Sequence, residues 1–185
     1  MNNTNPIIKE LRHIAALGWN PEQKAYYEQR AADACSVECV RMRDVFNPDQ
    51  LQFLFQTPGY KTKQKMCYKN AAELVGKVEW MAHHYDPSVP EIKYIEGFVY
   101  SCNLLAIEHA FVKVGDKYID PTFERALHRD VRKEIYVSLI ELDPETMAKY
   151  QFETGFYGEL YQYDYLCKNR PELAQQMRER NPHNR

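Results

Sequence analysis

Apolar positions along this chain change their period twice. Up to about residue 85 they recur at helical spacing, with explicit start signals. Asn5-Pro6, Asn20-Pro21 and Asn47-Pro48 each set a capping residue before a proline suited to the first helical position. The pattern predicts a helix over 6–17 that closes at Gly18, and a long one over 21–44 carrying Tyr26, Ala34, Val37 and Val40 among many charges. A short helix from Pro48 closes near Thr57-Pro58-Gly59. A fourth runs from about Met66 to His83, where Cys67, Ala71, Leu74, Val78 and Met81 recur every three or four residues. Its apolar stripe begins with a cysteine.

After Asp86-Pro87-Ser88-Val89-Pro90 the period shortens, and β-formers over 92–100, 105–114, 117–119 and 135–142 predict a small antiparallel sheet. From Asp143-Pro144 the spacing is helical again, through the tyrosine-rich stretch 156–165 to a charged tail, Asn181-Pro182-His183-Asn184-Arg185, expected to fray. No internal repeat and no long linker interrupts the chain. Helices segregated from an antiparallel sheet predict an α+β fold in a single domain, 1–185. It divides into a helical N-terminal flank (1–60), a core (61–142) and a C-terminal helical segment (143–185).

Composition narrows the function classes. Twenty-four Lys and Arg against 26 Asp and Glu leave a net charge of −2, without the electrostatic footprint of a nucleic-acid binder. No run approaches the ~18 apolar residues of a membrane span. The start, Met1 to Pro6, lacks the basic and apolar regions of a secretory signal, so the expected location is cytoplasmic with no membrane partner. Five cysteines, at 35, 39, 67, 102 and 167, are an odd and irregular set that fits reduced thiols better than a disulfide framework. Neither GxxxxGK[ST] nor GxGxxG occurs.

Strand alternation on both sides of Gly115-Asp116 marks a two-residue hairpin turn and sets a register. If Val114 pairs with Lys117, Phe111 lies opposite Asp120, and His109 lies diagonally from Asp120 on the same face, within reach of a hydrogen bond. A His-Asp pair orients the ring and favours the imidazolium formed when the ring takes a proton, as a thiol or hydroxyl nucleophile requires. Cys67 is the candidate nucleophile. At a helix start, unpaired N–H groups and the positive dipole end stabilise a thiolate, and the same groups can hold an oxyanion. The competing reading of Cys67, a packed thiol on an amphipathic helix, rests on the general burial of cysteine.

These residues carry a resemblance. Cys67 opening a helix, then Glu96-Gly97, His109-Ala110-Phe111, Gly115 to Tyr118 and Asp120-Pro121-Thr122, resembles the core of the transglutaminase-like branch of the papain-like cysteine enzymes. A similar Cys-x-x-Asn, Glu-Gly, His-Ala, Asp-Pro-Thr series occurs in small phage-encoded proteins. The resemblance implies a helix-initial cysteine packed on a small antiparallel sheet. It also implies Cys67 as nucleophile, His109 as general base and acid, and Asp120 as the orienting carboxylate. The implied activity is a cysteine-dependent hydrolase acting on an amide, of protease, isopeptidase or deamidase type, on a protein or peptide substrate and without a cofactor. Acyl transfer of the transglutaminase type is the alternative within the class; a non-catalytic binding protein on the same fold is the alternative outside it. Gln64 and Tyr60 are candidate oxyanion donors, and Asn70, one turn after Cys67, either lines the cleft or solvates the helix.

Four other features carry weaker signals. Cys35 and Cys39 lie four apart on a predicted helix face, where packing is preferred to a soft-metal site completed by Cys102, Cys167 or a histidine. His83-His84 suits a helix C-terminus. His128 is the second choice of base. Tyr157, Tyr161 and Tyr165 repeat every four residues, a stripe for packing or for a partner, with Tyr163 off it.

Overall fold

The computed structural model describes residues 5–17, 20–56, 60–101 and 106–181. The expected capping residues start the N-terminal helices. Asn5 accepts a hydrogen bond from the Ile7 N–H to open α1 (Pro6–Ala16), and Asn20 accepts one from Gln23 to open α2 (Pro21–Asp33). Asn47 and Gln50 bond each other's backbone N–H groups at the head of α3 (Pro48–Gln56). Gly18 and the Thr57-Pro58-Gly59 stop fall outside the described residues.

The long helix expected over 21–44 is a helix of half that length followed by strand. After Asp33 the chain runs extended through β1 (Cys35–Val37) and β2 (Cys39–Val40) into a 3-10 turn (Met42–Asp44). Cys35, Val37, Cys39 and Val40 suit strands, and their pairing partners lie far along the chain: β1 joins β6 (Ile135–Leu142) antiparallel, and β2 joins β5 (Lys117–Ile119) in parallel. Between them stand β3 (Ile92–Tyr100) and β4 (Ala106–Val114), so the order is β1-β6-β3-β4-β5-β2. The sheet is therefore mixed rather than purely antiparallel. Its two edge strands are joined in the chain by Glu38 alone, which curls the sheet until its edges approach each other.

The fold is α+β. One face of β3 and β4, with Ile92, Tyr94, Ala110, Val112 and Val114, packs against Ala71, Leu74, Val75, Val78 and Met81 of α4 (Cys67–His84). Fully burying each of the larger of these side chains stabilises the fold by about 1.5–3 kcal/mol. The concave face holds Ile95, Val99, Phe111, Phe123 and Tyr136. The other side of β3 and β6 is covered by Ile7, Ile8 and Leu11 of α1. At the β3 bulge between Glu96 and Gly97, a Cβ on residue 97 would collide with the Val137 carbonyl, so β3 and β6 meet this closely only across a glycine.

The C-terminal segment forms α5 (Pro144–Thr154), α6 (Leu160–Asn169) and α7 (Pro171–Arg180). Of the expected frayed tail, Asn181 is fixed: it is 1% exposed and donates to the Phe152 carbonyl at 2.7 Å; residues 182–185 fall outside the described residues. Tyr161 and Tyr165 pack on Tyr26 of α2, whereas Tyr157 precedes the helix and is exposed. Tyr163, off that stripe, is fully buried. No described helix is long and apolar enough to cross a membrane.

Candidate active site

Cys67 is the first residue of α4, and no side chain caps that helix start; its first turn holds no acidic residue. The first-turn N–H groups and the positive end of the dipole therefore gather at the sulfur. The half-buried thiol shares a hydrogen bond with the His109 ring, and the N–H groups of Ala110 and Tyr68 point to it. Burial pushes the thiol up, but the bond to His109, the charge on that ring and the two N–H groups outweigh it, leaving Cys67 below the ordinary 9.0.

His109 comes from β4 opposite Gly97 and is 2% exposed. The hairpin register is the one that Gly115-Asp116 implies, with Val114 opposite Lys117, and Asp120 follows directly after β5. His109 Nε2 donates to Asp120 Oδ2 at 2.7 Å, which leaves Nδ1 as the ring nitrogen for Cys67. The edge of Phe123, 5.1 Å away at 77°, holds the ring from one side. Burial alone would lower the ring's proton affinity; the Asp120 carboxylate overrides it and raises His109 well above its ordinary 6.5. A lowered thiol and a raised imidazole are the conditions for a thiolate–imidazolium pair.

Asp120 is fully buried, and all of its accepting capacity is used. Oδ1 takes the N–H groups of Thr122 (2.9 Å) and Phe123 (3.1 Å), and Oδ2 takes Tyr136 Oη (3.0 Å) besides His109. Four donors compensate a buried charge that would otherwise be costly. They also fix the carboxylate plane, so Asp120 can hold the ring in one orientation.

The other expected site residues lie around this line rather than in it. Asn70 is buried, not on the solvent side of the helix. Its Nδ2 donates to the Lys63 carbonyl (2.7 Å) and Thr122 Oγ1 (3.0 Å), and its Oδ1 accepts the Lys63 N–H (3.0 Å). It ties the segment before Cys67 to the turn that follows Asp120. Tyr60 is buried with its hydroxyl on the Asn70 carbonyl at 3.3 Å, and the Gln64 amide lies on the Ala126 carbonyl at 3.4 Å. Both donors are thus engaged elsewhere, and the N–H groups that bond the sulfur are those of Tyr68 and Ala110. His128 stands on an exposed turn with positive φ. His83 and His84 bond the carbonyls of Glu79 and Trp80 in the last turn of α4. Cys35 and Cys39 lie on strands rather than on a helix face, and no metal-sized cluster of His, Cys, Asp or Glu occurs among the described residues; Cys102 falls outside them.

No family model matches the chain, and no curated protein or solved structure matches it either.

Tyr136 and the Ala110 N–H are site components that sequence reading misses. Tyr136 is one aromatic in an alternating strand, and nothing local says that β6 lies within reach of Asp120. An open groove of about 280 Å³ runs along the start of α4 between Met66 and Tyr68 on one side and Phe156 to Glu159, ahead of α6, on the other. Gly158 crosses the Tyr68 ring so closely that a Cβ there would lie 2.6 Å from ring carbons. The arrangement brings together a partly exposed thiol held below its ordinary proton affinity, an imidazole held by a carboxylate, and N–H donors at a helix end.

Proposed function

We propose that this chain is a cysteine-dependent acyl-enzyme hydrolase acting on an amide of a protein or peptide, built on a papain-like, transglutaminase-like core. The observation that carries the reading is the buried relay in which Asp120 holds His109 at 2.7 Å and His109 bonds the Cys67 thiol, whose proton is held less tightly than an ordinary thiol's. In this mechanism the Cys67 thiolate attacks the amide carbonyl, and the tetrahedral oxyanion is met by N–H groups at the start of α4. His109 then gives its proton to the departing amine as the C–N bond breaks, leaving a thioester. The neutral ring takes a proton from water, the hydroxide adds to the thioester, and release of the acid restores the thiolate and imidazolium. Each step balances within the three side chains and one water.

The test is direct. Near neutral pH, iodoacetamide is expected to modify Cys67 at least tenfold faster than the other four thiols, an order set by thiolate fraction. Uniform labelling, read by peptide mass spectrometry, would sink the proposal. Cys67→Ala is expected to fold normally and to lose any amide hydrolysis.

A further inference from the structure

Of the four donors on Asp120, three follow from the local chain and the hairpin, and one does not. The Thr122 and Phe123 N–H groups lie two and three residues after the carboxylate and bond Oδ1, as happens where an aspartate caps its own turn. His109 bonds Oδ2 from the adjoining hairpin strand. Tyr136 comes from β6 and sets its hydroxyl on that same Oδ2, at 3.0 Å.

The core does not require this hydroxyl. Tyr136 is fully buried, and its ring meets Phe111 edge-on at 5.4 Å, between Val37 of β1 and Val99 of β3, so a phenylalanine fills the same space. A buried hydroxyl is costly unless it is bonded, and among the described residues its hydrogen bond goes to Asp120. Burial and the Asp120 charge hold the phenol far above the ordinary 10.0, so it stays a donor wherever the site works. The other ionisable groups that feel this carboxylate or the phenol are Cys39 of β2 and Tyr60 ahead of α4, both kept neutral by burial, and Glu134, which is paired with Arg129.

Two donors on one oxygen divide its charge. The proton that His109 passes on sits on Nδ1, while the Nε2–H stays with Asp120. The more of the Oδ2 charge that falls to Nε2–H, the more firmly the ring keeps both protons, and a competing donor loosens that hold. Resting on the hydrolase reading above, we infer that Tyr136 is a positioning residue that sets the strength of the relay: by taking part of the Oδ2 charge, it leaves the imidazolium able to give its Nδ1 proton to the departing amine.

The experiment reads the ring rather than turnover. Full-length protein with isotope-labelled histidine and carrying Cys67→Ala, which removes the thiol's own effect on the ring, is titrated by NMR with and without Tyr136→Phe. The His109 signal is assigned by its loss in His109→Gln. Without the phenol, the His109 midpoint is expected to lie about one pH unit higher. A difluorotyrosine placed at position 136, a stronger donor that keeps the hydroxyl, should move the midpoint the other way, and this arm stands even if Tyr136→Phe fails to fold. Lost packing alone lowers stability and leaves the midpoint in place. An unmoved midpoint in both variants, or a lower one in Tyr136→Phe, overturns the proposal. With Cys67 restored, Tyr136→Phe should be alkylated by iodoacetamide at pH 7 at least as fast as the wild type, because the ring beside the sulfur holds its charge more firmly. A fall of about tenfold would mean that the phenol supports that charge, and it overturns the proposal as well. Selective labelling of Cys67 in the wild type is read apart from this: its absence with the midpoint shift intact removes the hydrolase and not the effect of Tyr136 on the ring, and the converse removes the role of Tyr136 alone.

Discussion

At Cys67 two influences oppose each other, and their order sets a pH dependence. Burial favours the neutral thiol, while the His109 ring and two N–H groups favour the thiolate and win. For His109 the signs reverse, because burial favours the neutral ring and Asp120 favours the charged one. Alkylation of Cys67 should therefore rise with pH through a midpoint below 9.0, the ordinary thiol value. Hydrolysis should follow the same acid limb and fall on the alkaline side only as His109 loses its proton, well above 6.5. His109→Gln removes the hydrogen bond and the charge and leaves the burial. Its midpoint should move above 9.0, and its labelling rate at pH 7 should drop about tenfold or more. A stopped-time series with iodoacetamide from pH 5 to pH 10 measures both; an unmoved midpoint would show that the helix start alone sets the thiol.

Among the elements, α4 and the β4–β5 hairpin do most to assemble the site, and both were legible. The turn Gly115-Asp116 set the register, and the register put His109 within reach of Asp120. Pairings between distant segments were not legible. β1 and β2 are three and two residues long, too short to show an alternation, and the charges around them suit a helix equally well. What makes them strands is β6 for β1, roughly a hundred residues further on, and β5 for β2, roughly eighty residues further on. The same limit hides Tyr136, which reaches Asp120 from β6, and it leaves Asn70 open between cleft and solvent, since its position in α4 does not reveal that Lys63 and Thr122 close over it. That closure has a measurable worth. Asn70→Ala strands a backbone N–H, a carbonyl and a hydroxyl that Asn70 now satisfies, so it should destabilise the protein by about 2–3 kcal/mol. Urea unfolding decides it, and a loss under about 0.5 kcal/mol would mean that water replaces the amide without cost.

Across the whole molecule, the curled sheet and the C-terminal helices are joined at one buried carboxylate. Glu96 lies on β3 next to the bulge, yet it accepts the first N–H groups of α6, so it closes the C-terminal segment onto the same sheet that carries His109. A helix N-terminus favours the charged carboxylate, as does the Tyr94 hydroxyl, but burial outweighs both and raises the group from 4.5 to about 7. The sign of the linkage follows. The folded protein holds this proton between pH 4.5 and about 7 while the unfolded chain has released it, so the contribution of Glu96 is complete below 4.5 and is lost as pH rises through about 7. A difference of that size corresponds to a loss on the order of 3 kcal/mol across the window. Glu96→Gln keeps an amide oxygen for α6 and has no proton to lose. Its stability, followed by urea unfolding at pH 5 and pH 8, should fall less between the two than that of the wild type, by about 2–3 kcal/mol. His109 and Cys67 titrate alike in both proteins, so the comparison isolates this one carboxylate. Parallel curves would mean that Glu96 stays charged in the fold, paired more fully with the start of α6 than its burial implies.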